Sequence, residues 1–161
     1  MLTFTITPAE VQDIDSLLAL EKRVFIAADG LLSKRSFRYH LGSKNILLVA
    51  RQNCPTKPVI GYLLVFVRTQ SARLYSLAIH PDFQRHGVAR SLYTHASAIL
   101  KSKNIHKLSL ELRPSNTAAF KFYQSLGFEK KTTRPNYYGD GENALCLSLN
   151  ARVCPLPYSS T

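Results

Sequence analysis

The chain has 161 residues, 45% hydrophobic and 19% charged, with 7 Gly and 8 Pro. This is the length of about one domain, enough to bury a core without metal or disulfide staples, and the composition excludes a collagen-like or mainly disordered protein. The formal net charge is +11: residues 1–30 hold five acids (Glu10, Asp13, Asp15, Glu21, Asp29) and two bases, whereas 31–161 hold nineteen bases and five acids.

Thr3 to Thr7 alternates and predicts a strand. Pro8 and Glu10 then open a helix with Ile14, Leu17, Leu18 and Phe25 on one face. Ser33 is placed as the N-cap of a second helix carrying Phe37 and Leu41. Ile46 to Ala50 predicts a strand, Asn53 to Pro58 a turn, and Val59 to Val67 and Leu74 to Ile79 two further strands. A helix starts at His86 or Gly87 and runs to about Lys101, with Ala89, Leu92, Tyr93, Ala96 and Leu100 as its apolar stripe. Lys107 to Leu112 predicts a strand, and Asn116 to Leu126 a short helix closed by Gly127. Phe128 to Thr132 and Asn143 to Leu149 complete the strands. The organisation is an α/β domain over residues 1–150 with a mixed sheet. Residues 151–161, with two prolines and small polar residues, read as a flexible tail.

The N-terminus, MLTFTITPAE, shows no basic region followed by an apolar one, so no secretory signal is expected. The apolar stretch Val59 to Val67 is too short to span a bilayer. Cys54, Cys146 and Cys154 are an odd count without a Cys-x-x-Cys, which argues against a disulfide framework or zinc knuckle and fits a cytoplasmic protein. The histidines lack metal-ligand spacing, and no metal is expected. The basic surface suits nucleic acid, an acidic peptide or a polyphosphate cofactor. Its bases are scattered, so no dedicated nucleic-acid stripe is visible.

The most informative stretch runs from Ile79 to Arg90 (IHPDFQRHGVAR). A strand ends at Pro81 and a loop leads into the long helix. Gly87 and Ala89 are small enough for close backbone approach. The free N–H groups and dipole of the helix start favour phosphate oxygens there. On the residues alone this is either a phosphate cradle or a plain strand–loop–helix connection. Gln84-Arg85-x-Gly87-x-Ala89 resembles the acetyl-CoA signature of the GNAT N-acetyltransferases. Leu77-Ala78-Ile79-x-Pro81-Asp82 resembles the family's preceding strand and turn. Arg113-x-Ser115-Asn116-x-x-Ala119-x-x-Phe122-Tyr123-x-x-Leu126-Gly127-Phe128 resembles its C-terminal half. Asn136-Tyr137-Tyr138-x-Asp140-Gly141-Glu142-x-Ala144 is similar to a segment of RimI-type and archaeal or eukaryotic protein N-terminal acetyltransferases. The resemblance spans roughly residues 3–150 and is sharp over 74–147.

The resemblance implies a single-domain GNAT fold: a mixed, mostly antiparallel central sheet with helices on both faces. It implies acetyl-CoA as acetyl donor, contacted by Leu77, Ala78, Ile79, Gln84, Arg85, His86, Gly87, Val88, Ala89, Arg90, Asn116 and Tyr123. Among the residues that would act, Glu111 alternates away from Leu108, Leu110 and Leu112. By alternation it is a solvated strand carboxylate; the resemblance makes it the catalytic base. Tyr123, two turns along the helix from Asn116, is a core aromatic by burial statistics. The resemblance places it beside the CoA sulfur as the acid. Asn116 serves as an N-cap, a cofactor contact, or both. Tyr137 and Tyr138 precede a Gly139-Asp140-Gly141 turn; they are a hairpin-end pair or, by resemblance, walls of the acceptor groove.

The chain departs from RimI-type sequences over Val24 to Leu32, where those carry a Phe-Pro-Trp-like segment, and it contains no Trp. Three readings stay open. The first is an N-acetyltransferase acting on a protein or peptide N-terminal amine, with the ribosome among the partners the resemblance allows. The second is the same chemistry on a small amine, amino acid or lysine. The third is a non-catalytic acetyl-CoA-binding module, against which the presence of Glu111 and Tyr123 counts.

Overall fold

The computed structural model describes residues 1–150; the tail expected over 151–161 lies outside the described residues. Seven strands form one sheet in the order β1-β2-β3-β4-β5-β7-β6. They are β1 (Phe4–Pro8), β2 (Ile46–Gln52), β3 (Val59–Val67), β4 (Ser71–Ile79), β5 (Lys107–Leu112), β6 (Glu129–Arg134) and β7 (Ala144–Asn150). Every neighbouring pair is antiparallel except β4 and β5, which are parallel. The helices are α1 (Ile14–Val24), α2 (Lys34–Leu41), α3 (Val88–Ser102) and α4 (Thr117–Ser125).

Helices lie on both faces of the sheet, as the resemblance implied. On one face, Val88, Leu92, Ala96 and Leu100 of α3 pack with Tyr123 of α4 against apolar residues of β2 to β5 and β7. On the other, Ile14, Leu17 and Leu20 of α1 and Phe37 of α2 cover Leu47, Val49, Tyr62, Leu64 and Ala78. Of the expected α3 stripe, Leu92, Ala96 and Leu100 are buried at spacings of four, whereas Ala89 and Tyr93 are only partly buried and Val88, not in the expected set, is buried.

Several elements differ from expectation. Pro8 does not open a helix; it pairs with Leu48 at the end of β1, and a 3-10 turn over Val11–Asp13 precedes α1. Asp13 there forms a two-pronged ion pair with Arg51 of β2 at 2.7 and 2.6 Å, fixing the start of α1 to the sheet. The helix stops at Val24, so Phe25 is extended rather than on its apolar face. The buried stripe of α1 is Ile14, Leu17, Leu20 and Glu21, with Leu18 at its margin. Ser33 caps α2 as expected, accepting from Ser36 N at 3.1 Å, but His40 rather than Leu41 is buried beside Phe37. Gly127 follows α4 at φ +97°, a left-handed turn that glycine adopts without a Cβ penalty. The edge strand β6 is exposed throughout, and its Lys130, Lys131 and Arg134 oppose pairing with another sheet.

Two features of β4 position the site. Leu64 pairs with Ser76 and Val65 with Leu74, so Tyr75 is an extra residue, a β-bulge. The bulge changes the phase of the strand: Ala72, Leu74, Leu77 and Ile79 reach the α3 side, while Ser76 and Ala78 turn to the α1 side. The ladder with β5 is confined to Ser71–Arg73 against Lys107–Ser109. Beyond Arg73 the two strands part.

Candidate active site

The first half of the site is the cradle at the start of α3. A 3-10 turn over Pro81–Phe83 leaves β4, and Arg85 (φ +63°) and Gly87 (φ +82°) both take left-handed conformations before the helix begins. No side chain caps this helix, and its first internal bond is Ser91 N to Gly87 O at 3.0 Å. The N–H groups of Gly87, Val88, Ala89 and Arg90 thus have no partner among the described residues. A Cβ at Gly87 would have nothing within 4 Å, so the space in front of this row is open. Gly61 sets the row's depth: a Cβ there would fall 2.7 Å from Ile79 Cδ1 and 3.4 Å from Val88 Cγ1. Its absence lets α3 sit close on β3 and β4.

Of the cofactor residues named from the sequence, Leu77 to Ile79 and Gln84 to Arg90 lie between the end of β4 and the first turn of α3, whereas Asn116 caps α4 and Tyr123 lies on it. Gln84 Nε2 donates to Ile79 O at 3.3 Å, tying the loop to the end of β4. Arg85 and His86 are exposed, and Val88 is buried, so its backbone alone faces the cradle. Ala89 packs half-buried on the core, and exposed Arg90 reaches Ser125 of α4 at 3.0 Å. Leu77, Ala78 and Ile79 lie on the part of β4 that has left β5, their backbone flanking the cleft between the strands. Asn116 is the N-cap of α4, its Oδ1 accepting from Ala119 N at 3.1 Å. An uncapped N–H row, open space in front of it, exposed Arg85 and Arg90 and an unladdered strand edge fit a long pyrophosphate-bearing ligand laid along the cleft.

Glu111 is not a free surface carboxylate. Arg73 Nε donates to its Oε2 at 2.8 Å, and Arg134 Nη1 stands 3.7 Å from its Oε1. Arg73 also donates to the Tyr137 hydroxyl at 2.7 Å. One guanidinium thus links β4, β5 and the β6–β7 loop. Burial works against the charge on Arg73, yet Glu111 and Tyr137 hold its pKa above the ordinary value. Tyr123 is buried on α4, edge-on to Phe122 and Phe128 at 5.2 and 5.6 Å. Burial raises its phenol well above the usual value, so it is a neutral hydrogen-bond donor across the physiological range. Tyr137 is exposed and packs edge-on against half-buried Tyr138 at 5.0 Å. Burial pushes the Tyr138 phenol up to about 12.

Besides Arg73, three contributors were not singled out from the sequence as site residues. Arg113, at the end of β5, pairs with Asp29 at 2.7 Å, Asp140 at 2.8 Å and Glu142 at 2.6 Å, with its guanidinium 4.1 Å from the Tyr138 ring centroid. Gly139 N donates to Ala28 O at 2.9 Å, and a Cβ at Gly139 would press on Ala28 at 3.3 Å. These contacts dock the α1–α2 loop, with its 3-10 turn at Ala27–Asp29, onto the β6–β7 loop beside the tyrosine pair. The third is Glu21, buried under α1. Its Oε2 accepts from Leu32 N at 2.8 Å, and its Oε1 accepts from the Tyr62 hydroxyl, which lies 2.7 Å from Ser76 Oγ. Burial raises the Glu21 pKa against the opposing effect of these hydrogen bonds. The sequence signal for Arg113 was its place in the motif, and for Glu21 its helical spacing from Leu17 and Leu18 on the apolar face of α1; for Arg73 there was none.

A split parallel pair beside an open helix N-terminus, with the Glu111 carboxylate on one of the two strands, suits a CoA-dependent acyltransferase. The sequence pattern of the Acetyltransferase (GNAT) family matches residues 14–128, and the chain belongs to that family. It is an acetyl-CoA-dependent N-acetyltransferase. The chain is 33% identical over 152 residues, covering 90% of it and 96% of the relative, to the ribosomal protein bS18-alanine N-acetyltransferase of Escherichia coli (strain K12). It is 33% identical over 144 residues, 86% of this chain and 94% of the relative, to the enzyme of the same name from Haemophilus ducreyi. The crystal structure of the Escherichia coli ribosomal-protein-S18-alanine N-acetyltransferase superposes with a TM-score of 0.82 at 30% identity, covering 96% of this chain and 97% of that one.

Proposed function

We propose that the acceptor is the N-terminal α-amine of a protein or peptide, held between Tyr137 and Tyr138, with Glu111 as base and Tyr123 as hydrogen-bond donor to the leaving sulfur. The observation that carries this reading is the Arg113 hub, which fixes two loops and the tyrosine pair into one wall beside Glu111. A peptide backbone can lie along such a wall, with tyrosine rings packing on it and hydroxyls bonding it. The relatives' names point the same way, and by them a ribosomal protein belongs to the proposed acceptors. We infer a cytoplasmic setting, in keeping with the free thiols of Cys54 and Cys146. No helix among the described residues is long and apolar enough to cross a membrane.

Acetyl-CoA, when bound, supplies a thioester carbon for attack. The phosphates belong with the N–H groups of Gly87 to Arg90 and with Arg85, and the pantetheine with the freed edge of Leu77 to Ile79. The amine must be neutral to attack, and an α-amine, with a pKa near 8, is neutral far more often at pH 7 than a lysine near 10.4. Arg73 fixes Oε2 of Glu111, leaving Oε1 lone pairs to take the amine proton, directly or through water. As the N–C bond forms and the C–S bond breaks, Tyr123 donates a hydrogen bond to the departing sulfur. Its raised pKa makes full proton transfer to a thiolate uphill, so hydrogen bonding is its part.

Steady-state kinetics test this. Glu111→Gln should lower kcat by about 10²–10⁴ while acetyl-CoA affinity barely changes, and Tyr123→Phe should also slow turnover. Peptides with a blocked α-amine and an internal lysine should lose most turnover. Equal rates on blocked peptides, or on spermidine, would overturn the reading in favour of a small-amine acceptor.

A further inference from the structure

Helices α1 and α2 cover β2, β3 and β4 and contribute nothing to the same face of β5, β7 and β6. On that bare part of the sheet, at the laddered end of β4 and β5, lies a hollow of about 170 Å³ lined by Arg68, Ser71, Arg73, Ser109, Glu111 and Arg134. Three guanidinium groups face one carboxylate. Arg73 is engaged by Glu111, but Arg134 stands 3.7 Å from it, and the Arg68 side chain has no hydrogen bond or ion pair among the described residues. The hydroxyls of Ser71 and Ser109 are likewise without partners there. The hollow therefore holds a surplus of positive charge and of unused donors, the complement of a carboxylate.

Its place relative to the reaction is defined by β5. Ser109 precedes Glu111 by two residues, roughly 7 Å along a strand. A peptide that runs from an amine at Glu111 back along β5, past Tyr137, which touches Arg73 and Arg134, and away from Arg113, would bring the side chain of its second or third residue over Ser109. We propose that this hollow is a specificity subsite for an acidic side chain, Asp or Glu, at the second or third position of the acceptor peptide. The inference rests on the α-amine reading above. Arg68 and Arg134 bind the carboxylate, Ser71 and Ser109 add hydrogen bonds, and a basic residue there is repelled.

The test uses the intact protein with acetyl-CoA and free-terminus peptides that differ only in Glu, Gln or Lys at position two or three. In one of those positions Glu should exceed Gln at least tenfold in kcat/KM, chiefly through KM, and the ratio should shrink as NaCl is raised. Arg68→Ala should bring the Glu-to-Gln ratio near one, and Arg68→Glu should shift preference toward Lys. Arg68 is exposed beside a turn, and comparing peptides within each variant cancels any general loss. Turnover of the Gln peptide with no gain from Glu overturns the subsite alone. No turnover on any free-terminus peptide, with spermidine acetylated, overturns the α-amine reading beneath it. A Glu preference that survives Arg68→Glu also overturns the subsite. So does an RNA oligomer that inhibits through Arg68 while the Glu-to-Gln ratio is near one, which would reassign the hollow to nucleic acid.

Discussion

Gly87 shows why a single residue type is needed at the cradle. Its φ of +82° suits glycine, and a Cβ there would touch nothing within 4 Å. Conformation, not crowding, selects glycine, and the openness keeps the helix N–H row accessible. On the proposed cofactor reading, a carboxylate in that space would occupy the phosphate position and oppose its charge. Gly87→Glu should weaken acetyl-CoA binding more than tenfold, about 1.4 kcal/mol, by calorimetry on the folded variant. Unchanged affinity would remove the cradle from the cofactor site. This much was readable in the sequence, because a glycine, a helix start and flanking arginines lie within a few residues of one another. The state of Glu111 was not. Its partner Arg73 is 38 residues away, and Arg73 reaches Tyr137 over 64 residues. Alternation along β5 says which way Glu111 points and nothing about what meets it.

Between elements, two devices hold the acceptor side together. Arg113 joins the end of β5 to the α1–α2 and β6–β7 loops, which line the proposed acceptor groove, through three carboxylates, and Arg113→Ala would leave those charges without their common partner. Its side chain is 15% exposed but that of Asp140 is 42% exposed, so the loss should be about 1–3 kcal/mol, below that of a fully buried network. Thermal denaturation would register that loss, and the peptide KM should rise more than the acetyl-CoA KM, because both loops lie on the acceptor side. Equal changes in the two constants would argue against the groove. Glu21 is the second device, fixing Leu32 of the α1–α2 loop to Tyr62 and Ser76 of the sheet. Burial raises its pKa above the ordinary value of 4.5. Above that pH the folded protein holds a proton that the unfolded chain has released, so this residue's contribution to stability falls as pH rises, until the folded-state pKa is passed. Glu21→Gln does not titrate. The stability of the native protein relative to this variant, from urea unfolding, should therefore be greatest and constant below about pH 4.5 and decline as pH rises above it. A difference that grows with pH would contradict the burial argument. In α1 the helical spacing itself puts Glu21 in the apolar stripe, four residues after Leu17 and three after Leu18, and the structure buries it there. What only the tertiary structure reveals is its partners, Tyr62 of the sheet and Leu32 of the following loop.

For the molecule as a whole, the charge of +11 is an attraction for the cofactor as well as a solubility device. The acetyl-CoA KM should rise as NaCl is raised from about 50 to about 500 mM, since exposed charges are screened beyond about 10 Å at 0.1 M and beyond about 3 Å at 1 M. A KM indifferent to salt would shift the binding energy onto the pantetheine groove. The α3 stripe, the capping serine and asparagine, and the mixed α/β class were legible because helix periodicity, caps and turns are interactions among residues a few positions apart. The phase change in β4 was not, because Leu74, Leu77 and Ile79 are all apolar and the bulge at Tyr75 shows only when β3 is laid beside it. The same holds for the parting of β4 from β5 after Arg73, which creates the cleft, and for the basic hollow, whose arginines come from a hairpin, a central strand and an edge strand. Local order follows from neighbours along the chain. The cleft, the Arg113 hub and the environment of Glu111 are set by which distant strands and loops the core brings side by side.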